Sequence, residues 1–327
     1  MMKALIDNFP TQLQEALTIA NAAALTPANT TITNVVIAGL GGSGIGATIL
    51  QEYLLDKSAL PITVIKGYTC PASVSNTTLF IGCSYSGNTE ETVFTTKAAL
   101  AKGAKVVVIS SGGSLIDFAQ QHALNYIQLP SGMPPRACLG YSLTQLLKVG
   151  SFFNVASINV NDEITNTIQL LTTEHQNIIT IAKAAASVLH KRLPIIYTMS
   201  NEGVVIRFRQ QLNENSKMLC WHHVIPEMNH NELVGWADSH DDAVVVVVRN
   251  DNDYARNNMR YDICKPVFEK YAHSILELHS KGTSDLQRIF YHIHLGDWIS
   301  IILSELNEVD AMNIDIINHL KGHLANN

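Results

Sequence analysis

Thr78-Leu-Phe-Ile-Gly-Cys83-Ser84-Tyr-Ser86-Gly87-Asn-Thr89-Glu-Glu91 joins three signals in one segment. The apolar run 78–84 reads as a strand, and 90–102 has helical spacing that stops near Gly103. Between them three hydroxyls, Ser84, Ser86 and Thr89, crowd one turn, and Gly87 lets the backbone approach a ligand closely. A helix starting at Glu90 points free N–H groups and a partial positive charge at that turn. The segment therefore predicts a strand, a phosphate cradle that needs no lysine, and a helix. N-capping accounts for one hydroxyl at such a place but not for three.

The alternation continues outward. Further strands are predicted over 34–40, 61–66, 104–110 and 125–129, with helices over 44–54 and 140–153. Then the plan repeats: a helix over 162–189, a strand over 194–199 and a helix over 202–219. A β-branched strand over 243–249, a helix over 254–271, a strand over 274–278 and a long helix over 285–305 follow. This predicts an α/β chain of two doubly wound domains, each a central, mainly parallel sheet flanked by helices. The boundary falls at 153/154 with no low-complexity linker, giving domains 1–153 and 154–327.

Gly39-Leu-Gly41-Gly42-Ser43-Gly44 fits G-x-G-x-x-G between a strand and a helix. A dinucleotide site also wants an acid at the end of the next strand, and here that strand ends in Lys66 and Gly67. Two readings remain: a tight strand–helix turn, or Ser43 and the amides of Gly41 and Gly42 facing a small anionic sugar.

Bulk composition narrows the class. The chain has 327 residues, 46% hydrophobic, with a formal charge of -6 and no long basic run. That argues against nucleic acid or a membrane as partner. The longest apolar run, 243–248, is too short to span a bilayer, and residues 1–10 lack a signal-peptide core. Five separated cysteines without a C-x-x-C pair fit a reducing cytoplasm.

Gly41-Gly-Ser43-Gly followed by Ser84-x-Ser86-Gly-x-Thr89-Glu-Glu resembles the sugar isomerase (SIS) domain. Pro134-Pro-Arg136-Ala, Asn213-Glu214-Asn-Ser-Lys217, Pro226-Glu-Met-Asn229-His230-Asn231-Glu232 and a Leu320-Lys321 tail narrow the resemblance to the bifunctional phosphoglucose/phosphomannose isomerases. It runs from the first glycine loop to the C-terminus. It implies interconversion of glucose 6-phosphate, and of mannose 6-phosphate, with fructose 6-phosphate through a cis-enediol, without metal or cofactor. It also implies a homodimer with shared active sites, Glu214 as the proton-shuttling base, and ring opening by His230 from the neighbouring subunit, assisted by Lys321. Where the family often has Asp-Pro-Thr-Pro-Val, this chain has Asp310-Ala-Met312-Asn-Ile314. A threonine linked to mannose 6-phosphate use is therefore absent.

The residues have their own readings. Glu214 is a helix glutamate able to pair with Lys217 at i,i+3. Asn229 and Glu232 fit an N-cap and capping box, which would set His230 near a helix N-terminus, where the dipole disfavours imidazolium. Two prolines hold the backbone before Arg136 extended, so its guanidinium is preorganised to stabilise an enediolate. Glu227 and Glu232 read as capping or orienting groups. Two rivals are a non-catalytic SIS module that senses a sugar phosphate, and a zinc-dependent isomerase built on His222, His223, Glu227 and His230. The first has no need of Glu214, His230 and Arg136 together, and no DNA-binding segment is read at either end. The second lacks H-E-x-x-H spacing.

Overall fold

A computed structural model describes residues 1–325. Its first sheet holds β1 (Asn34–Ala38), β2 (Ile62–Ile65), β3 (Thr78–Cys83), β4 (Lys105–Ser110) and β5 (Asn125–Gln128). All pair in parallel, in the order β2-β1-β3-β4-β5. The second holds β6 (Leu193–Thr198), β7 (Trp221–Val224), β8 (His240–Arg249) and β9 (Ala272–His279), parallel in the order β7-β6-β8-β9. β3 is buried at every position and β8 buries Ala243–Val248, as strands covered on both faces must. The α/β architecture with two helix-flanked parallel sheets is thus the expected one.

The helices are α1 (Met2–Asp7), α2 (Phe9–Ala22), α3 (Gly41–Tyr53), α4 (Glu90–Ala101), α5 (Gly113–Gln121), α6 (Leu139–Phe152), α7 (Val160–Thr173), α8 (His175–Leu189), α9 (Glu202–Glu214), α10 (Ala255–Tyr271), α11 (Asp285–Leu306) and α12 (Asp315–Ala325). One apolar core runs from Met2 to Ala311 between the sheets. At its centre lies α11, buried from Leu286 to Ser304 at every position but Arg288. Such a helix is apolar on every side, so the few polar groups on it need partners.

Four expectations need correction. The single helix over 162–189 is two, α7 and α8, broken at Glu174; both lie on α11, and a straight helix of that length would overshoot it. The helix over 202–219 stops at Glu214. Asn215 and Ser216 turn their side chains into α11, and Lys217 takes a left-handed φ of 57°. Asn229 does not cap a helix. His230 ends a 3-10 turn, Glu227–His230, that follows Pro226, while Asn231 caps the next turn by accepting from the Glu232 N–H. Extended backbone stops at Pro134, and Pro135–Ala137 forms a 3-10 turn instead. Helices α1, α2, α5 and α12 and the short edge strand β7 have no counterpart in the sequence reading.

Candidate functional site

In the first sheet the strand order reverses between β1 and β3, the crevice where open α/β sheets bind ligands. Both candidate loops leave from it: the glycine loop runs from β1 into α3, and the serine loop from β3 into α4. Gly41 opens α3. At Gly42 an added Cβ would lie 2.8 Å from the Pro135 carbonyl oxygen, so the glycine lets α3 press on the turn that carries Arg136. Ser43 is buried, and its Oγ accepts the Tyr85 N–H at 3.0 Å. It ties the glycine loop to the serine loop.

The serine loop is held from several sides. Ser84 Oγ is 2.8 Å from Thr89 Oγ1 and accepts the Gly87 N–H at 3.2 Å. Gly87 has a φ of 72° and rests on the Gly112 carbonyl, where any Cβ would overlap it. Asn88 Oδ1 accepts from the Ser114 N–H and hydroxyl, and Ser111 Oγ donates to the Tyr85 carbonyl. Ser86 is exposed, and Thr89 stands at the N-cap of α4 without a side-chain capping bond. The result is a rigid turn with hydroxyls and helix N–H groups facing outward, suited to a phosphate.

Tyr85 reaches across from this loop. Its hydroxyl donates to the Pro130 carbonyl at 2.9 Å and accepts the Met133 N–H at 3.2 Å, just before the Pro134–Pro135 pair. Arg136 then turns inward and is only 4% exposed, the reverse of a surface arginine. Its Nε donates to Asn215 Oδ1 at 2.8 Å, Nη1 to Glu214 Oε2 at 3.3 Å and Nη2 to the Ala311 carbonyl. Each terminal nitrogen keeps a further N–H for a ligand. Burial lowers the pKa of the guanidinium, and the Glu214 charge opposes that shift. Glu214 closes α9 with its side chain 30% exposed. Lys217 does not pair with that carboxylate; its ammonium donates to the Glu214 and Asn313 carbonyls.

Glycine loop, serine loop, Arg136, Glu214 and the segment around Ala311 are therefore joined. His230 and Lys321 are not tied into this frame. His230 is exposed, and no hydrogen bond or ion pair links it to Glu214, Arg136 or the serine loop. Lys321 is exposed on α12. Glu232 accepts from the Tyr197 hydroxyl and from Trp221 Nε1 at 3.1 Å, an orienting role. Of the four residues in the zinc reading, His222 pairs with Glu202 at 3.4 Å and Glu227 with Asn231 at 2.9 Å. Among the described residues, no group of three or more His, Cys, Asp or Glu is arranged to hold a metal. No helix among them is long and apolar enough to cross a membrane.

The sequence reading misses Tyr85, Arg207, Asn215, Asp297 and Ser300. Arg207 Nη2 donates to the Arg136 carbonyl at 3.0 Å and to Asp297 Oδ2 at 2.8 Å. One signal was available: Asp297 is a lone acid inside the apolar run 289–303. At the matching crevice of the second sheet, between β6 and β8, Asp253 ties the two flanking loops together. Its carboxylate accepts from Ser200 Oγ at 2.5 Å and from the Asn250 N–H at 2.7 Å.

Residues 179–324 match the family model of the bacterial phospho-glucose isomerase C-terminal SIS domain. A bifunctional phosphoglucose/phosphomannose isomerase of Caldicellulosiruptor bescii is 38% identical over 97% of each chain. The chain belongs to the bifunctional phosphoglucose/phosphomannose isomerase family. A second member of the family, from Aquifex aeolicus, is 31% identical over 89% of this chain and 90% of its own. The fold is also that of Escherichia coli tagatose-6-phosphate ketose/aldose isomerase. The TM-score is 0.72 at 14% identity, over 93% of this chain and 92% of that one. Membership makes the chain an aldose–ketose isomerase, and these relatives lend no support to a non-catalytic sensor.

Proposed function

We propose that this chain interconverts glucose 6-phosphate, and mannose 6-phosphate, with fructose 6-phosphate, using Glu214 as the proton-carrying base. One observation carries the reading: a half-exposed carboxylate at 3.3 Å from a buried guanidinium, on a frame shared with a lysine-free phosphate seat. The phosphate rests on Ser84, Ser86, Thr89 and the first-turn N–H groups of α4, with Gly87 and the Gly41–Gly42 turn flanking it. Ser43 holds the two loops together. In the open-chain aldose, Glu214 removes the C2 proton, and the C1 carbonyl becomes the oxygen of an enediolate. The free N–H groups of Arg136 stabilise that oxygen. O1 then takes up a proton as O2 gives one up, and protonated Glu214 delivers its own proton to C1, leaving the carbonyl at C2 of the ketose. His230 and Lys321 assist ring opening.

His230 acts from the partner subunit of a homodimer. The lack of any hydrogen bond or ion pair between it and Glu214 within one chain fits this, as do the exposed Leu219, Trp221 and Val234 around it in sequence. Residues 1–153 and 154–327 serve as the two domains, the first binding phosphate and the second supplying Glu214.

The test is Glu214→Gln, which keeps shape but cannot take the carbon-bound proton. Loss of a general base costs about 10²–10⁴-fold in rate. We expect kcat to fall by that amount with KM nearly unchanged, and deuterium uptake at C2 to fall in parallel. Exchange at the parental rate would assign the base elsewhere.

A further inference from the structure

Arg136 can act on the reacting atoms only if its guanidinium is aimed, and a buried arginine has many ways to miss. The Nε–H points at Asn215 Oδ1, 2.8 Å away. An amide offers an acceptor at one end and a donor at the other, so this contact requires one of its two orientations. Asn215 is fully buried, and no water molecule need choose for it. The choice is made by Ser300 on α11. Its Oγ accepts from Asn215 Nδ2 at 3.0 Å, while its own proton goes to the Asp297 carbonyl at 2.8 Å. With that proton committed, Ser300 can only accept, and the amide must turn its oxygen to Arg136.

The same turn of α11 also holds the Arg136 backbone. Asp297, 4% exposed, accepts from Arg207 and from Gln211 Nε2 at 2.8 Å, and Arg207 grips the Arg136 carbonyl. The Ser300 carbonyl accepts from Ser216 Oγ at 2.7 Å, which fixes the chain just after Glu214. One face of a buried helix thus locates both members of the Arg136–Glu214 pair.

We propose that Ser300 and Asn215 are positioning residues for the isomerisation: the Ser300 hydroxyl sets the orientation of the Asn215 amide, and that amide aims Arg136. The inference rests on the isomerase reading of the site.

The experiment uses the full chain and the sugar phosphates. Ser300→Ala leaves the Asn215 amide free to turn its donor end toward Arg136. We expect kcat to drop about tenfold, since misplacing a catalytic group by about 1 Å costs up to about 10²-fold. KM should stay within about twofold, because the phosphate seat is untouched. Asn215→Asp supplies an acceptor whichever way it turns, so Ser300 no longer decides which end meets Arg136. The double variant Ser300→Ala with Asn215→Asp should match Asn215→Asp alone in kcat, within about twofold. A parental kcat in Ser300→Ala overturns the proposal. So does a double variant that stays about tenfold below Asn215→Asp, or fails to fold, since no amide donor is then orphaned. If Ser300→Ala itself does not fold, the comparison of the two Asn215→Asp chains still decides. The parental chain and Glu214→Gln serve as controls: an inactive parental chain fails the isomerase reading and an active Glu214→Gln fails Glu214 as base, whereas an inactive Glu214→Gln beside a fully active Ser300→Ala sinks only the positioning.

Discussion

Arg136 is surrounded by protein on nearly every side, yet its partners are one carboxylate, one amide and one carbonyl. Burying a guanidinium is costly unless its N–H groups are met, and here three are met while others remain for a ligand. The hydroxyls of the serine loop differ among themselves in the same way. Ser84 is tied internally, whereas Ser86 is exposed and Thr89 leaves its helix uncapped. Phosphate contacts act in the ground and transition states alike. Ser86→Ala and Thr89→Ala should therefore each raise KM about 5- to 150-fold, as for a lost bond of about 1–3 kcal/mol, with little change in kcat. Initial-rate kinetics on fructose 6-phosphate check this; a parental KM in both would move the seat elsewhere. These hydroxyls were legible in the sequence because they lie within one turn of each other. Arg136 and Glu214, far apart in sequence, could be paired only through the family resemblance. Asn215 and Ser300 could not be found, since their meaning comes from an amide orientation that only the packed helices define.

At the scale of elements, α3 and α9 bring the glycine loop and Glu214 into one frame. Gly203 at the start of α9 lies against Ile49 of α3, and both Glu52 oxygens accept its N–H, at 2.8 and 3.0 Å. Burial lifts the Glu52 carboxyl to about 7; the Gly203 N–H and Lys66 pull it down, and Glu202 adds to the rise. In the unfolded chain this group titrates near 4.5. Folding thus favours the protonated form, so the cost is absent below about pH 4.5, grows between there and pH 7, and is full above. Glu52→Gln keeps an acceptor for Gly203 without the charge. It should raise Tm at pH 8, by the equivalent of roughly 3 kcal/mol, and have much less effect at pH 5. Equal shifts at both values would show that Glu52 is not the titrating group. Strands and their order of succession were readable here from apolar runs and glycines. The ends of α9 and the split between α7 and α8 were not, because both are set by contacts with α11 rather than by any local stop signal.

Across the whole molecule, what matters most is that no hydrogen bond or ion pair joins His230 to Glu214 within one chain. A chain that draws its histidine from a second copy should be rescued by mixing. Glu214→Gln and His230→Ala chains, each inactive, should regain about a quarter of parental activity when equal amounts exchange freely. Half of the dimers are then mixed, and each mixed dimer has one intact site. No recovery despite measured exchange would place the site within one chain. Asp253 bears on the same molecule in another way. The two sheets offer two crevices of the same kind, and at the second a buried carboxylate of the chain itself joins the loops on either side. Sugar phosphate, itself an anion, is disfavoured beside that carboxylate. Its rate should climb along a plain hyperbola, with no second berth through which a surplus of substrate, or of free phosphate, could throttle the first.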